Sequence, residues 1–163
     1  MRKRYAAAGS ALFFALAPGT VAGLVPYALT TWHPGPTATA LRAVGAVLTA
    51  AAAAVLLHAF TRFVREGFGT PAPAAPTAHL VVGGLYRYVR NPMYLAVDAA
   101  IVGQALLLGR PVLYVYAAVI AATTAAFVHG YEEPTLREQF GAEYDAYRRS
   151  VPAWLPRPRC GNP

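Results

Sequence analysis

The chain of 163 residues is 56% hydrophobic and only 13% charged, and it carries a net charge of +7. An average soluble domain has roughly 25% charged residues, so this composition argues against a soluble enzyme. The length predicts a single domain over residues 1–163. A soluble bundle of buried helices is the alternative, but so short a chain has too few polar side chains to cover long apolar helices by itself.

Long apolar runs predict four transmembrane helices. Residues 43–61 and 111–131 contain no charged side chain, and residues 91–109 contain only Asp98. A spanning helix needs about 20 mostly apolar residues to cross a hydrocarbon core of about 30 Å. The fold class is therefore predicted to be an all-α membrane protein. Its four spans are expected at about 5–29, 40–62, 92–109 and 112–130.

The arginine distribution predicts how these spans are oriented. On the four-helix arrangement, 12 of the 14 basic residues lie on one side, and only Arg42 and Arg110 lie on the other. This asymmetry predicts a multi-pass integral membrane protein with both termini in the cytoplasm. It also favours contact with anionic lipid headgroups, so nucleic acid is not expected as a partner. Residues 63–91 become a cytoplasmic loop, and residues 131–163 become a cytoplasmic segment.

The first apolar run has two interpretations. Its beginning, MRKRYAAAGSALFFALA, resembles a signal peptide, but the run continues to residue 29 without a clear cleavage site followed by polar sequence. A retained first helix is therefore expected. Pro18, Gly19, Gly23 and Pro26 should bend this helix, and neighbouring helices should satisfy the carbonyl groups that the prolines leave free.

The second and third helices are joined by a proline-rich connector. The prolines at 71, 73 and 76 predict a stiff, extended segment. The next stretch, HLVVGGLYRYVRNP, has no helical period, and Pro92 suits the first position of the third helix. Within that helix, Asp98 is either a functional residue or a hydrogen-bond partner of a neighbouring helix, because an acid inside a membrane helix is costly.

The tail after residue 134 is amphipathic. Leu136, Phe140, Tyr144 and Tyr147 recur at spacings of four, four and three. This pattern predicts one amphipathic C-terminal helix that lies against the cytoplasmic end of the bundle. The single cysteine, Cys160, excludes an internal disulfide bond.

No metal site is expected. The four histidines and one cysteine are scattered and do not have the spacing of metal ligands.

Two segments near the same predicted membrane face contain the unusual polar residues. One is GLYRYVRNPMYLA, which begins at Gly84, and the other is YEEPTLREQFGAEYDAYRRSVPAWLP, which begins at Tyr131. Together they resemble the integral-membrane S-adenosylmethionine-dependent methyltransferases, over about residues 63–156. That family includes isoprenylcysteine carboxyl methyltransferases and phospholipid N-methyltransferases. The carboxyl branch usually has Arg-His-Pro where this chain has Arg-Asn-Pro at 90–92, and Asn-Pro-Met-Tyr looks more like the phospholipid branch.

The resemblance implies a cofactor, an acceptor and a set of site residues. The cofactor is S-adenosylmethionine, and the methyl acceptor is a membrane lipid or another hydrophobic molecule with an amine headgroup or a carboxylate. Arg90 and Glu133 are the implied catalytic residues: Arg90 would bind the cofactor carboxylate, and Glu133 or a water would take a proton from an amine. The implied cofactor-binding residues are Leu80, Val81, Val82, Gly83, Gly84, Tyr86, Arg90, Asn91, Pro92, Tyr94, Tyr131, Glu132 and Glu133.

Two other functions stay open from the sequence. Membrane sterol-type reductases that use NADPH have a similar C-terminal arrangement, with Arg-His-Pro-x-Tyr and a later acidic motif. A membrane scaffold without enzymatic activity would also use arginines and tyrosines as interfacial anchors. Binding of S-adenosylmethionine, or of its product S-adenosylhomocysteine, distinguishes the methyltransferase from both.

Overall fold

The computed structural model of the protein describes residues 16–67 and 79–156, and this part of the chain is helical and contains no strand. Residues 5–15 of the expected first helix, the connector prolines at 71, 73 and 76, and Cys160 lie outside the described residues. The helices are α1 (Leu16–Thr30), α2 (Thr39–Gly67), α3 (Pro92–Leu108), α4 (Val112–Phe140) and α5 (Ala142–Ser150). Two π turns lie within them: Thr20–Leu24 in α1 and Val128–Glu132 in α4.

Helices occupy the four places where the apolar runs predicted them. Two of them, Thr39–Arg62 of α2 and Val112–Phe140 of α4, are long and apolar enough to cross a membrane. The described part of α1 and the 17 residues of α3 form shorter apolar helices. Large apolar side chains such as Val47 and Val115 are exposed on the outside of the bundle, as expected of a surface that faces lipid.

The central pair of helices, α2 and α3, is packed with unusual closeness. A Cβ atom on Gly45 of α2 would lie 2.6 Å from the carbonyl oxygen of Gly103, and a Cβ atom on Gly103 would lie 2.8 Å from the backbone nitrogen of Thr49. Small residues at such positions let two helix backbones come into contact, which is typical of helices that associate in membranes. This pair is the fixed centre against which the other helices pack.

The π turn of α1 is explained by Pro26. A proline has no N–H, so Ala22 O, four residues before Pro26, loses its helical hydrogen-bond partner. Val21 O loses its own partner because the N–H of Val25 bonds Thr20 O. Two side chains from other helices replace these partners: Tyr116 Oη donates to Val21 O at 2.9 Å, and Gln104 Nε2 donates to Ala22 O at 2.7 Å. The prediction that neighbouring helices satisfy the freed carbonyls of the first helix is thus confirmed for the turn before Pro26, whereas the turn before Pro18 lies outside the described residues.

The π turn of α4 stands in the same relation to Pro134. Its last hydrogen bond runs from Glu133 N–H to Val128 O, and Pro134 follows at once. Because the wider turn accommodates the proline, α4 continues to Phe140, so the prediction that the fourth helix ends near residue 130 is wrong. Gly141, with φ of +52°, then separates α4 from α5. The prediction of a single amphipathic helix in the tail is likewise wrong, because the tail forms the end of α4 and a separate helix, α5.

The segment after α5 returns to the beginning of α3. The backbone N–H of Arg90 donates to Pro152 O at 2.9 Å, and Asn91 Nδ2 donates to Ala153 O at 3.2 Å. Tyr147 Oη in α5 also donates to the carbonyl oxygen of Tyr86 at 2.7 Å. These bonds bring the two motif-bearing segments together at one end of the bundle.

Candidate active site

Arg90 is the centre of a group of polar side chains from three parts of the chain. Its Nη1 donates to Glu133 Oε1 at 2.7 Å and to Tyr144 Oη at 3.0 Å, and its Nε donates to Val151 O at 3.1 Å. Arg148 Nη2 lies 3.4 Å from the other oxygen of Glu133. We call Arg90, Glu133, Tyr144 and Arg148 the tail cluster, because α5 and the segment after it complete it.

The tail cluster is largely shielded from solvent. The Arg90 and Glu133 side chains are 10% and 12% exposed, so their ion pair is less screened than a surface pair. Burial raises the pKa of Tyr144 and of Tyr147 above the ordinary tyrosine value. Both phenols are therefore neutral at physiological pH and act as ordinary hydrogen-bonding groups.

A cavity of about 280 Å³ lies beside the tail cluster, and we refer to it as the cavity. Residues of α1, α3 and α4 and Leu56 of α2 form most of its wall, which is mainly apolar. Its polar end is formed by residues around the beginning of α3 and the π turn of α4. The polar-end residues are Tyr86, Arg90, Asn91, Tyr94 and Glu132.

Adjacent glutamates thus have different surroundings. Glu133 meets two arginines, whereas Glu132 lines the cavity and accepts a hydrogen bond from Tyr94 Oη at 3.1 Å. Consecutive residues on a helix point about 100° apart, so one carboxylate faces the tail cluster and the other faces the cavity. The described contacts of Glu132 include no ion pair within salt-bridge distance.

The sequence-predicted site residues fall into two groups. Tyr86, Arg90, Asn91, Pro92, Tyr94 and Glu132 line the cavity. Glu133 does not line the cavity, but it forms an ion pair with Arg90, which does. Tyr131 is half exposed and stacks on Phe127, with ring centroids 5.3 Å apart. The residues that precede the Gly84 turn, Leu80, Val81, Val82 and Gly83, are not among the cavity lining, and neither is Gly84.

Gly84 has a local structural reason to be glycine. Its φ is +58°, and a Cβ atom there would lie 3.3 Å from side-chain atoms of His58 and Arg62. Val81 is buried against Ala59 and Tyr86. The segment 80–84 thus fixes the loop against α2, and its assignment to cofactor binding stays a prediction.

Several cavity residues had no clear signal in the sequence. Ala17, Pro18 and Val21 of α1 line the cavity, as do Thr123 and Thr124 of α4. The apolar residues of α1 look like ordinary membrane-helix residues. The two threonines are the one hint that the sequence offers, because they are hydroxyl side chains in an otherwise uncharged apolar run.

Asp98 lies one turn beyond Tyr94 in α3. Its Oδ1 atom is buried and has no hydrogen-bond partner among the described residues. The contacts therefore do not support the alternative that this oxygen accepts a hydrogen bond from a neighbouring helix. The same part of the chain contains no group of three His, Cys, Asp or Glu side chains placed to hold a metal ion.

A model of the phospholipid methyltransferase family matches residues 36–143. The match covers more than half of the chain and includes both the Arg90 segment and the two glutamates. The chain belongs to the phospholipid methyltransferase family. The resemblance to membrane methyltransferases is thereby confirmed, and the protein is a membrane methyltransferase of a family that acts on lipids. No individual curated protein is significantly similar to the chain.

The cavity suits a member of this family that uses S-adenosylmethionine. Pockets for small molecules are typically about 300–1,000 Å³, so a cavity of about 280 Å³ lies just below that range. Nε and Nη1 of Arg90 donate hydrogen bonds to Val151 O, Glu133 and Tyr144, and its Nη2 donates to no described residue. The polar end of the cavity thus presents a guanidinium, a carboxylate and aromatic rings, which are groups that can bind a ligand with both a carboxylate and cations.

Proposed function

We propose that the protein transfers the methyl group of S-adenosylmethionine to the amine of a membrane lipid, in the cavity at the cytoplasmic face. The observation that carries this proposal is the position of Glu132, a carboxylate that lines the cavity without an arginine partner. The charge of Arg90, by contrast, is met by Glu133 at 2.7 Å. A positively charged headgroup suits this cavity better than a second carboxylate does, because like charges repel at short distance.

Each polar-end residue receives a role from its contacts. Nη2 of Arg90 would hold the cofactor carboxylate, while Glu133 and Tyr144 fix the plane of the guanidinium. The rings of Tyr86 and Tyr94 would face the sulfonium, an interaction worth about 0.5–2 kcal/mol. Bound S-adenosylmethionine supplies a methyl group on a positively charged sulfur.

Glu132 is the proposed base in place of Glu133. A lipid ammonium must lose one proton before its nitrogen lone pair can form a bond to the methyl carbon, as the carbon–sulfur bond breaks and sulfur keeps the electron pair. Glu133 accepts a hydrogen bond from Arg90 and pairs with Arg148, and it is not among the residues that line the cavity. Glu132 accepts from one phenol and faces the cavity, where the ammonium would lie.

The arrangement of helices supports entry of the acceptor from the side. The apolar wall of the cavity is formed by α1 on one side and by Ile120, Thr123 and Thr124 of α4 on the other. We propose that all four of the helices α1 to α4 span the membrane, with both termini in the cytoplasm, so that lipid chains lie along this wall. An acceptor in this position keeps its tails in the membrane while its headgroup reaches Glu132.

The proposal is tested with purified protein in lipid nanodiscs. Calorimetry should detect binding of S-adenosylhomocysteine, and an excess of NADPH should leave that binding unchanged. Failure to bind S-adenosylhomocysteine would overturn the proposal and return the membrane scaffold as the better explanation. Displacement by NADPH would instead favour the reductase.

The acceptor is tested with methyl-labelled S-adenosylmethionine and three kinds of vesicle. Phosphatidylethanolamine should become labelled, whereas phosphatidic acid and vesicles that contain a prenylated cysteine carboxylate should not. Label on the carboxylate alone would show that an amine is not the acceptor. Glu138→Gln, an exposed glutamate on α4, is the matched control for Glu132→Gln in the same assay.

A further inference from the structure

Helix α1 forms one wall of the cavity although several of its large side chains are exposed on its outer surface. Leu16 and Leu24 are 60% and 62% exposed, and a Cβ atom added to Gly19 or Gly23 would meet nothing within 4 Å. The same stretch of helix nevertheless supplies Ala17, Pro18 and Val21 to the cavity. The position of this wall depends on the packing of Val21 and Ala22 against the buried core and on specific polar contacts.

Two of those contacts are the side-chain hydrogen bonds to the π turn. Gln104 is buried in α3 and donates to Ala22 O, and Tyr116 of α4 donates to Val21 O. Pro26 provides no N–H to Ala22 O, and the π turn leaves Val21 O without a backbone donor because the N–H of Val25 bonds Thr20 O instead. Val21 is also a cavity-lining residue, so Tyr116 donates its hydrogen bond directly to the backbone of the cavity wall.

We propose that Gln104 and Tyr116 are positioning residues for the methyl acceptor. They hold residues 16–20 of α1 against the cavity through their hydrogen bonds to the carbonyl groups of Val21 and Ala22, and we call these two residues the pivot. This inference rests on the proposed function of the cavity as the acceptor site. Neither side chain touches the reacting atoms, and Gln104 is not among the cavity-lining residues. Their effect on the reaction passes through Ala17, Pro18 and Val21.

The first test replaces the two donors separately. Tyr116→Phe removes only a hydroxyl group, and Gln104→Leu removes the amide while keeping a similar volume. The KM for vesicle phosphatidylethanolamine should rise roughly three- to ten-fold, the effect of losing one hydrogen bond, while kcat and the affinity for S-adenosylhomocysteine stay close to wild type. Tyr114→Phe is the matched control, since Tyr114 lies on the same helix and is 43% exposed.

The second test uses Pro26→Ala, which returns the missing N–H to α1. If Gln104 acts on the carbonyl that Pro26 frees, Gln104→Leu should change KM much less in the Pro26→Ala protein than in the wild type. Equal effects in the two backgrounds would overturn the proposal, because independent sites give additive effects. A change of kcat and cofactor affinity together with KM would also overturn it, since that result indicates general loss of structure.

A readout without catalysis separates this inference from the proposed function. Amide hydrogen exchange over residues 16–24 in nanodiscs should become roughly three- to ten-fold faster in Tyr116→Phe and stay unchanged in Tyr114→Phe. Faster exchange in a protein that methylates no amine lipid would show that the pivot exists and that the acceptor assignment is wrong. Unchanged exchange in Tyr116→Phe would show that the pivot is wrong, whatever the acceptor.

Discussion

The tail cluster and the cavity share Arg90 and differ in almost every other property. In the tail cluster, charge meets opposite charge at short distance, and the groups come from α4, α5 and the segment beyond. In the cavity, Glu132 has a single phenol as partner and apolar side chains around it. A polar group fixed by several partners has a structural role, whereas one left with spare bonding capacity in an apolar pocket is suited to chemistry.

The largest expected effect belongs to the cavity. Glu132→Gln keeps the size of the side chain and removes its ability to take a proton, so the rate of methyl transfer to phosphatidylethanolamine should fall about 10²–10⁴-fold. Binding of S-adenosylhomocysteine by calorimetry should stay near the wild-type value. If Glu133→Gln lowers the rate more than Glu132→Gln and without loss of stability, the roles of the two glutamates are reversed.

Disruption of the tail cluster should lower the free energy of unfolding. Arg90→Ala leaves the shielded Glu133 facing only Arg148 and His129, and the free energy of unfolding should fall by about 3 kcal/mol. Thermal unfolding of the protein in detergent measures this loss. Arg137→Ala is the control, because its 3.0 Å ion pair with Asp145 is largely exposed and should contribute less than about 1 kcal/mol.

A smaller effect is expected at the hydrogen bond between Tyr94 and Glu132 in the cavity. Tyr94→Phe removes the phenol that donates to Glu132, so the carboxylate loses its orientation and the rate should fall roughly five- to ten-fold. Tyr88→Phe, at an exposed position in the preceding loop, should have no effect. Equal rates for Tyr94→Phe and wild type would show that Glu132 is oriented by something other than this bond.

The smallest effect should appear at alkaline pH. Burial raises the pKa of Tyr147, so above about pH 10 its unfolded form loses a proton that the folded form keeps. The free energy of unfolding should therefore decline as pH rises from about 9 to 11. Tyr147→Phe should make this decline shallower. The substitution also removes the hydrogen bond to Tyr86 O, and this loss should lower the stability at neutral pH. An unchanged slope would show that Tyr147 is not among the groups responsible.

Part of this arrangement follows directly from the sequence. Pro92 begins α3 as its position predicted, and Arg90 meets Glu133 because both motifs lie at the same end of the bundle. Helix positions were also predictable, since uncharged runs of about 20 residues have few other uses in so short a chain. The family assignment depended on the same two motifs.

Other features depend on tertiary contacts that no local pattern contains. Pro134 signals a helix start, yet α4 runs through it because a π turn absorbs the missing hydrogen bond. That turn also decides which glutamate faces Arg90, so Glu132 and Glu133 could not be told apart from the sequence. The wall formed by Ala17 and Pro18 consists of apolar residues in an apolar helix, which are identical in character to residues that only face lipid.

Helix α4 also sets the distance between the apolar wall of the cavity and its polar end. It runs without a break from Thr123, in the apolar wall, to Glu132, at the polar end of the cavity. Nine residues at about 1.5 Å each place these positions roughly 14 Å apart along the axis. This distance separates the apolar wall from Glu132, the proposed base, so we expect that an acceptor whose nitrogen stands much nearer to or farther from its acyl chains does not reach this carboxylate.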